Sequence, residues 1–565
     1  ANDVANSFAT SVASKSLTMA QATLAAAVME FVGAVSVGAR TADTIKNGII
    51  PASAFENNPG VQLLAFTVAI CSSASWLMFC TYMSWPVSST YSIVSALAGV
   101  GVATAGASNV NWGWHNGSGL ATIFAGFGIA PAIAAGFGAV AYLLVKFIVL
   151  ARKNPLPWAL ATGPFVFFTA SSVMTLSIIY KGSPSLGLSK MSDSSLAAAV
   201  VGTAAVVALL SVLFWVPYVY CKVVRKDYTI RFYHFFLGPA LWFRRAPADA
   251  ADRMAAVVDY RIRKEASPAD GPDASPAARC DEESARSTED KLYEEEGLNA
   301  DGVAIPGHVS ALGKEVEQAD PHPIEGAWAE PKNLYIIFRY KAGPFLKRVF
   351  THGLTYDIHE AQAGQAGTKE GKRIAAMYAH AKQFPNEVEA CFSFVQAFTA
   401  CCNSFAHGAN DVANAVGPFS VIYHVWSTGE LAGKKTPVPV WNLVFCAVLL
   451  VLGLATYGYN IMKVLGNKIT LHSPSRGFAM ELGSSITVVL ASQYGLPVST
   501  TMCITGATMG VALCNGDLHA VNYRALGWIF LGWVITVPAV GTIAGCLMGI
   551  ILNAPHFATA VASRP

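Results

Sequence analysis

Apolar residues along this chain gather into blocks separated by short polar punctuation. Residues 61–107 contain no Asp, Glu, Lys or Arg, which fits spans of about 20 residues crossing a hydrocarbon core of about 30 Å. The pattern predicts apolar segments near 17–39, 61–82, 87–107, 119–150, 158–180 and 195–221, and again near 388–408, 411–426, 440–465, 478–494, 498–514 and 525–553. Several are short or interrupted by Gly and Pro, and such segments in matching places point to discontinuous helices at a site. The expected fold is an all-α membrane protein of about 10–12 transmembrane or re-entrant helices.

Between these series lies a block of different character. Residues 223–386 are rich in Asp, Glu, Lys, Arg, Pro and Gly, and the 267–301 stretch reads as disordered. A solvated linker is a simpler reading than a folded domain with its own activity. The expected organisation is therefore a first membrane repeat at 1–222, a hydrophilic, largely disordered loop at 223–386 and a second membrane repeat at 387–565. The loop's edges are basic, with Lys222, Arg225, Lys226, Arg231, Arg244 and Arg245 at one end and Lys372, Arg373 and Lys382 at the other. The positive-inside rule places it in the cytoplasm. Counting crossings back from there puts Lys146, Arg152 and Lys153 inside as well. It also leaves Asn116-Gly117-Ser118, an N-glycosylation acceptor, on the permitted outer side.

Composition agrees: 53% of the 565 residues are hydrophobic and 13% charged, against about 25% charged in soluble proteins. The formal net charge of +3 gives no support for nucleic-acid binding. The 11 cysteines form no disulfide framework, and Cys71, Cys80, Cys446 and Cys546 lie inside apolar runs as small hydrophobes. No secretory signal or transit peptide is visible. Ala1 is not a start methionine, so the natural N-terminus is expected to lie upstream. The expected location is the plasma membrane, with an internal organelle as the alternative.

Superimposed on the blocks is a duplication. Ala1-Asn2-Asp3-Val4-Ala5-Asn6 recurs as Ala409-Asn410-Asp411-Val412-Ala413-Asn414. Each copy is followed by a related signal, Pro86-Val87-Ser88-Ser89-Thr90 and Pro497-Val498-Ser499-Thr500-Thr501. Pro86 follows Asp3 by 83 residues and Pro497 follows Asp411 by 86. On a helix Asp3 and Asn6 share a face, as do Asp411 and Asn414, with Asn2 and Asn410 on the same side. A carboxylate with amide oxygens is a hard-oxygen surface suited to a small cation. One copy alone reads as helix capping or helix–helix glue; two copies at equivalent positions favour a site.

The Ser/Thr signal reads as a helix start, where Pro is tolerated in the first turn and Ser or Thr caps. A half-helix beginning inside the membrane offers free N–H groups and a positive dipole end. Ser88, Ser89, Thr90, Ser499, Thr500 and Thr501 add hydroxyl donors, a combination suited to a tetrahedral oxyanion. Carboxylates beside that anion repel it unless cations sit between them, so anion and cation binding require each other. Glu30 and Glu481 add further buried acids. Aligning the repeats sets Leu450 opposite Glu30 and Ile70 opposite Glu481, so each half contributes its own non-equivalent acid. A structural ion pair is the alternative reading for both.

These residues resemble the inorganic phosphate transporter family: the duplicated motif, His407-Gly408 before its second copy, Met480-Glu481-Leu482, and Gly495-Leu496-Pro497-Val498-Ser499-Thr500-Thr501. The resemblance covers both membrane halves and skips the central loop. It implies two inverted repeats, a homodimer in the lipid bilayer, and transport of inorganic phosphate with sodium or, in some members, protons. No other cofactor is implied. By that likeness Asp3, Asn6, Asp411 and Asn414 join residues 88–90 and 499–501 around phosphate and cation, with Glu30 and Glu481 important for transport. Where the family usually has His after the Ser/Thr signal, this chain has Tyr91 and Met502, which leans against protons. His407 reads as a residue bonded within its helix junction rather than a proton carrier. The alternatives are a symporter of sulfate or another oxyanion, or a membrane phosphate sensor. An enzyme is disfavoured, for there is no nucleophile–base constellation or zinc-spaced cluster in the sequence.

Overall fold

A computed structural model describes residues 2–55, 57–114, 119–181, 192–245, 257–260, 328, 330–363, 367–433, 436–493 and 498–553. Asn116, the 267–301 stretch and Pro497 lie outside the described residues. The chain divides into two compact units, one of residues 1–262 with 349–565 and one of residues 263–348. The smaller unit contains a short helix, Pro331–Ile336, running into a π-helical turn, Ile337–Ala342.

The larger unit is built of helices. In its first part these are α1 (Ala5–Ala13), α2 (Met19–Gly48), α3 (Pro59–Tyr82), α4 (Ser89–Ala105), α5 (Leu120–Val145), α6 (Pro155–Lys181) and α7 (Asp193–Leu210). In its second part they are α8 (Lys369–His380), α9 (Asn386–Thr428), α10 (Val440–Tyr457), α11 (Tyr459–Asn467), α12 (Pro474–Gln493), α13 (Thr500–Leu513) and α14 (Tyr523–Asn553). Among the described residues, 7 helices are long and apolar enough to cross a membrane. The burial pattern is inverted relative to a water-soluble protein. Leu24, Phe165, Trp528 and Ile550 are exposed, whereas Asp3, Asn6, Glu30, Asp411 and Glu481 are buried. Exposed apolar faces around a polar interior suit lipid as the outer solvent.

Among the described residues, two apolar helices of 10–17 residues are too short to cross. The 17 residues of α4 and the 14 of α13 span only about 26 and 21 Å at 1.5 Å per residue. Each begins where its sequence supplies a cap. Ser88 accepts from the Tyr91 N–H at 3.3 Å, and Ser499 from the Met502 N–H at 3.4 Å. The short helices are exchanged between halves: α4 packs on α14, and α13 on α5. Glycine permits both approaches. A Cβ on Gly99 would lie 2.1 Å from the Gly541 carbonyl oxygen, and one on Gly510 the same distance from that of Ala135.

The second motif departs from the hydropathy reading. Segments 388–408 and 411–426 are one continuous helix, α9, of 43 residues. Asn410, Asp411 and Asn414 interrupt the apolar run without ending the helix, because their side chains find partners on other elements. Parts of the expected central loop are also ordered. Residues 232–243 form a 3₁₀ segment, and α8 packs against the short turn Leu518–Ala520.

Candidate functional site

The crossing of α2 and α9 sets the site. A Cβ on Gly33 would lie 2.3 Å from the Phe405 carbonyl oxygen, and one on Gly408 would lie 2.4 Å from that of Glu30. Only glycine at both positions lets the two backbones touch, and this contact brings Glu30 onto His407. The His407 Nδ1 lies 2.8 Å from Glu30 Oε2, and its Nε2 lies 2.7 Å from Asp411 Oδ2 one turn further on. The second approach is an ion-pair distance without hydrogen-bond alignment. His407 therefore bridges two helices and two acids, a wider role than a bond within its own helix junction. Ser404 donates to Glu30 at 2.9 Å.

Beside this cluster the two motifs interlock with the opposite short helices. Asn6 donates to Thr501 at 2.6 Å, and Asn414 donates to Ser89 at 2.9 Å and to Thr90 at 3.0 Å. First-half amide meets second-half hydroxyl, and the reverse. The acids follow the same geometry with less symmetry. Asp3 accepts the Ser89 backbone N–H at the start of α4 at 2.8 Å and also the Thr501 hydroxyl. Asp411 accepts the Thr500 hydroxyl at 2.5 Å and the Asn410 amide at 3.0 Å. The free N–H groups and positive end of α4 thus face a carboxylate. Asn6 Oδ1 is buried with no hydrogen-bond partner. A buried carbonyl oxygen left unpaired is costly unless something positive meets it.

Four expected residues do different work. Asn2 donates to Thr81 at 3.1 Å and to the Trp85 carbonyl at 3.0 Å, and it accepts the Val87 N–H at 3.1 Å. Asn410 donates to the Val498 carbonyl at 3.0 Å. Both amides tie the motif to the turn that launches a short helix. Ser88 and Ser499 are occupied as caps.

Glu481 has a separate nest. Thr10 and Ser11 from α1 and Thr399 from α9 donate to it at 2.6 Å each, and Gln396 donates at 3.2 Å. All four donors are neutral. None was assigned from sequence, although the spacing of Ser7, Thr10 and Ser11 after Asn6 makes a polar stripe on an apolar helix. Gln396 and Thr399 carry no such signal, since only the tertiary crossing turns them toward Glu481. Tyr91 and Met502, at the positions of the missing histidines, are buried, with the Tyr91 hydroxyl donating to the Ile123 carbonyl at 3.2 Å.

A cavity of about 1000 Å³ lies at the other end of α1, lined in part by Lys15, Lys222, Arg231 and His359. It is separate from the motif residues and carries cationic side chains on the side of the basic loop edges.

The description of the phosphate transporter family matches residues 1–544. The chain is 38% identical to the phosphate-repressible phosphate permease of Neurospora crassa, over 99% of this chain and 95% of that one. It is 28% identical to sodium-dependent phosphate transporter 2 of Xenopus laevis, over 96% and 94%. A solved structure titled the sodium-dependent phosphate transporter shares the fold at a TM-score of 0.56 and 22% identity, covering 98% of this chain and 95% of that one.

Proposed function

This chain belongs to the phosphate transporter family, and from that premise we propose that it carries inorganic phosphate across the plasma membrane by symport with sodium. It is an integral, multi-pass transporter rather than an enzyme. The observation that carries the reading is the reciprocal pairing of Asn6 with Thr501 and of Asn414 with Ser89 and Thr90. This pairing gathers both motifs and both short-helix starts into one buried place.

The charge balance supports the sodium requirement. Asp3, Glu30, Asp411 and Glu481 are four buried acids, and His407 is the one cation-capable side chain in contact with any of them among the described residues. A phosphate placed 4 Å from a carboxylate meets about 4 kcal/mol of repulsion per unit-charge pair at an effective dielectric constant of about 20. Sodium ions between them turn that repulsion into mutual attraction. In this reading the hydroxyls of Ser89, Thr90, Thr500 and Thr501 and the first-turn N–H groups take the phosphate. Asp3, Asp411 and the unpaired oxygen of Asn6 take sodium, with Asn414 alongside. Asn2, Asn410, Ser88 and Ser499 serve by setting the positions of the helix starts. Glu481 holds a coupling cation in its hydroxyl nest. The cation-lined cavity below α1 serves as the vestibule on the loop side.

The test is uptake of labelled phosphate into vesicles containing the purified protein, with sodium present or replaced by potassium, at two pH values. Flux that requires a sodium gradient and resists excess sulfate supports the proposal. Flux that follows a proton gradient in potassium, or that sulfate abolishes, overturns the assigned ion or substrate. We also propose the three-part organisation 1–222, 223–386 and 387–565, and a homodimer, for which light scattering in detergent is the check.

A further inference from the structure

We propose that His380, Asp517 and His519 form a binding site for a divalent transition metal of the zinc class, on the face of the larger unit where α8 meets the α13–α14 loop. His380 Nδ1 lies 2.8 Å from Asp517 Oδ2, and His519 Nδ1 lies 3.0 Å from Asp517 Oδ1. The three ligand atoms lie within 4.8 Å of one another. Zinc bonds of about 2.0–2.1 Å in a tetrahedral site place neighbouring ligand atoms about 3.3 Å apart. Each histidine therefore lies slightly too close to its own carboxylate oxygen and no ligand pair lies further apart than 4.8 Å, so small side-chain rotations bring the three ligand atoms onto one ion. Two imidazoles and one carboxylate favour zinc or cobalt over magnesium or calcium. The fourth position falls to water.

The site is preorganised by groups that are not themselves ligands. Buried Arg476 donates to the Lys382 carbonyl, two residues after His380, and to Asn515 Oδ1 at 2.9 Å, two residues before Asp517. One guanidinium thus holds together the two chain segments that bring the ligands. The loop is fixed on its other side by a bridge between Thr470 and Val521 and by Thr470 donating to the Ala520 carbonyl at 3.0 Å. Asp517 is held in its turn by the His519 backbone N–H at 2.9 Å. The nearest cation in sequence, the Lys382 ammonium, sits over the Phe384 ring at 5.7 Å. The side chains are 51%, 37% and 80% exposed for His380, Asp517 and His519, so an ion reaches them from water. A bound metal would staple α8, which precedes the second membrane repeat, to the loop following α13, whose first turn carries Thr500 and Thr501.

The experiment titrates the full, untagged chain in nanodiscs and phosphate-free buffer, with zinc followed by calorimetry and cobalt followed by its visible absorption. One equivalent is expected to bind, with a cobalt spectrum of four- or five-coordinate nitrogen–oxygen ligation. Affinity should fall at least about tenfold in His519→Ala and in His380→Ala and stay unchanged in His424→Ala. His519 is 80% exposed, so truncating it leaves the fold intact. Equal affinity in the parent and His519→Ala, or a six-coordinate all-oxygen cobalt spectrum, overturns the proposal.

Discussion

Asp3 and Asp411 stand at equivalent places in two identical motifs but meet different neighbours. Asp3 faces the backbone start of α4, while Asp411 lies against His407. Replacing either by Asn preserves size and part of the hydrogen bonding while removing the charge and one acceptor oxygen. Asp3→Asn and Asp411→Asn should therefore insert and fold normally, yet lose sodium-dependent phosphate uptake to background. Normal uptake in both variants would make these acids structural. Glu481 separates coupling from architecture in the same way. Three of its four neutral donors share Oε1, which the Gln amide oxygen can replace, and the Thr399 hydroxyl can turn to accept the amide N–H, so Glu481→Gln should keep its melting temperature within a few degrees. The expected change is in the sodium dependence of uptake, read as a shifted sodium half-saturation. An unchanged sodium curve would remove Glu481 from the coupling role. At this scale the motif residues are readable from the chain because the repetition singles them out. Thr399 and Gln396 are not, because one Thr or Gln on an apolar helix looks like any other until the crossing angle aims it.

Elements place these residues through backbone contact. A side chain at Gly408 would collide with the Glu30 carbonyl at the α2–α9 crossing. Overpacking of this kind typically costs about 1–3 kcal/mol. Gly408→Val should lower the melting temperature by several degrees and abolish uptake, while Gly549→Val, at a glycine with open space around it, should do neither. The loop before α12 gives a pH signature. His472 is buried, which pushes its imidazole down from 6.5 to about 4, against the pull of the Thr470 carbonyl. Folding here requires the neutral ring, so the unfolded chain binds more protons between those values and stability is lost as pH falls through that window. The full loss is about 3 kcal/mol at 1.36 kcal/mol per pH unit. Thermal melts from pH 7 to 4 should show it, with a shallower decline in His472→Gln. Most helices match their apolar blocks to within a few residues. The merged helix α9 does not, because hydropathy registers the polar motif while the backbone, satisfied from other elements, passes straight through it.

At the scale of the whole molecule the halves are interlocked, each short helix packing on a long helix of the other half. Neither half holds the whole arrangement, since Asn6 and Asn414 each reach a hydroxyl from the opposite half. Deletion of residues 267–301, whose composition reads as disordered, should leave phosphate uptake within about twofold of the parent, since changes in the length of a flexible segment alter folding free energy little. Loss of uptake with retained insertion would assign that stretch a part in transport.

Membrane character, the duplication and the chemical class of ligand were decided by the residue order alone. Long uncharged runs have no stable place in water, and an exact repeat of acid and amide specifies the chemistry wherever it lies. The partners were decided only by the tertiary structure: Glu30 with His407, Glu481 with neutral hydroxyls, Asn6 with Thr501. Those pairings cross from 82 to nearly 500 residues of chain. They depend on helices meeting at glycine contacts, and no periodicity along a single helix records which distant helix its polar face will meet.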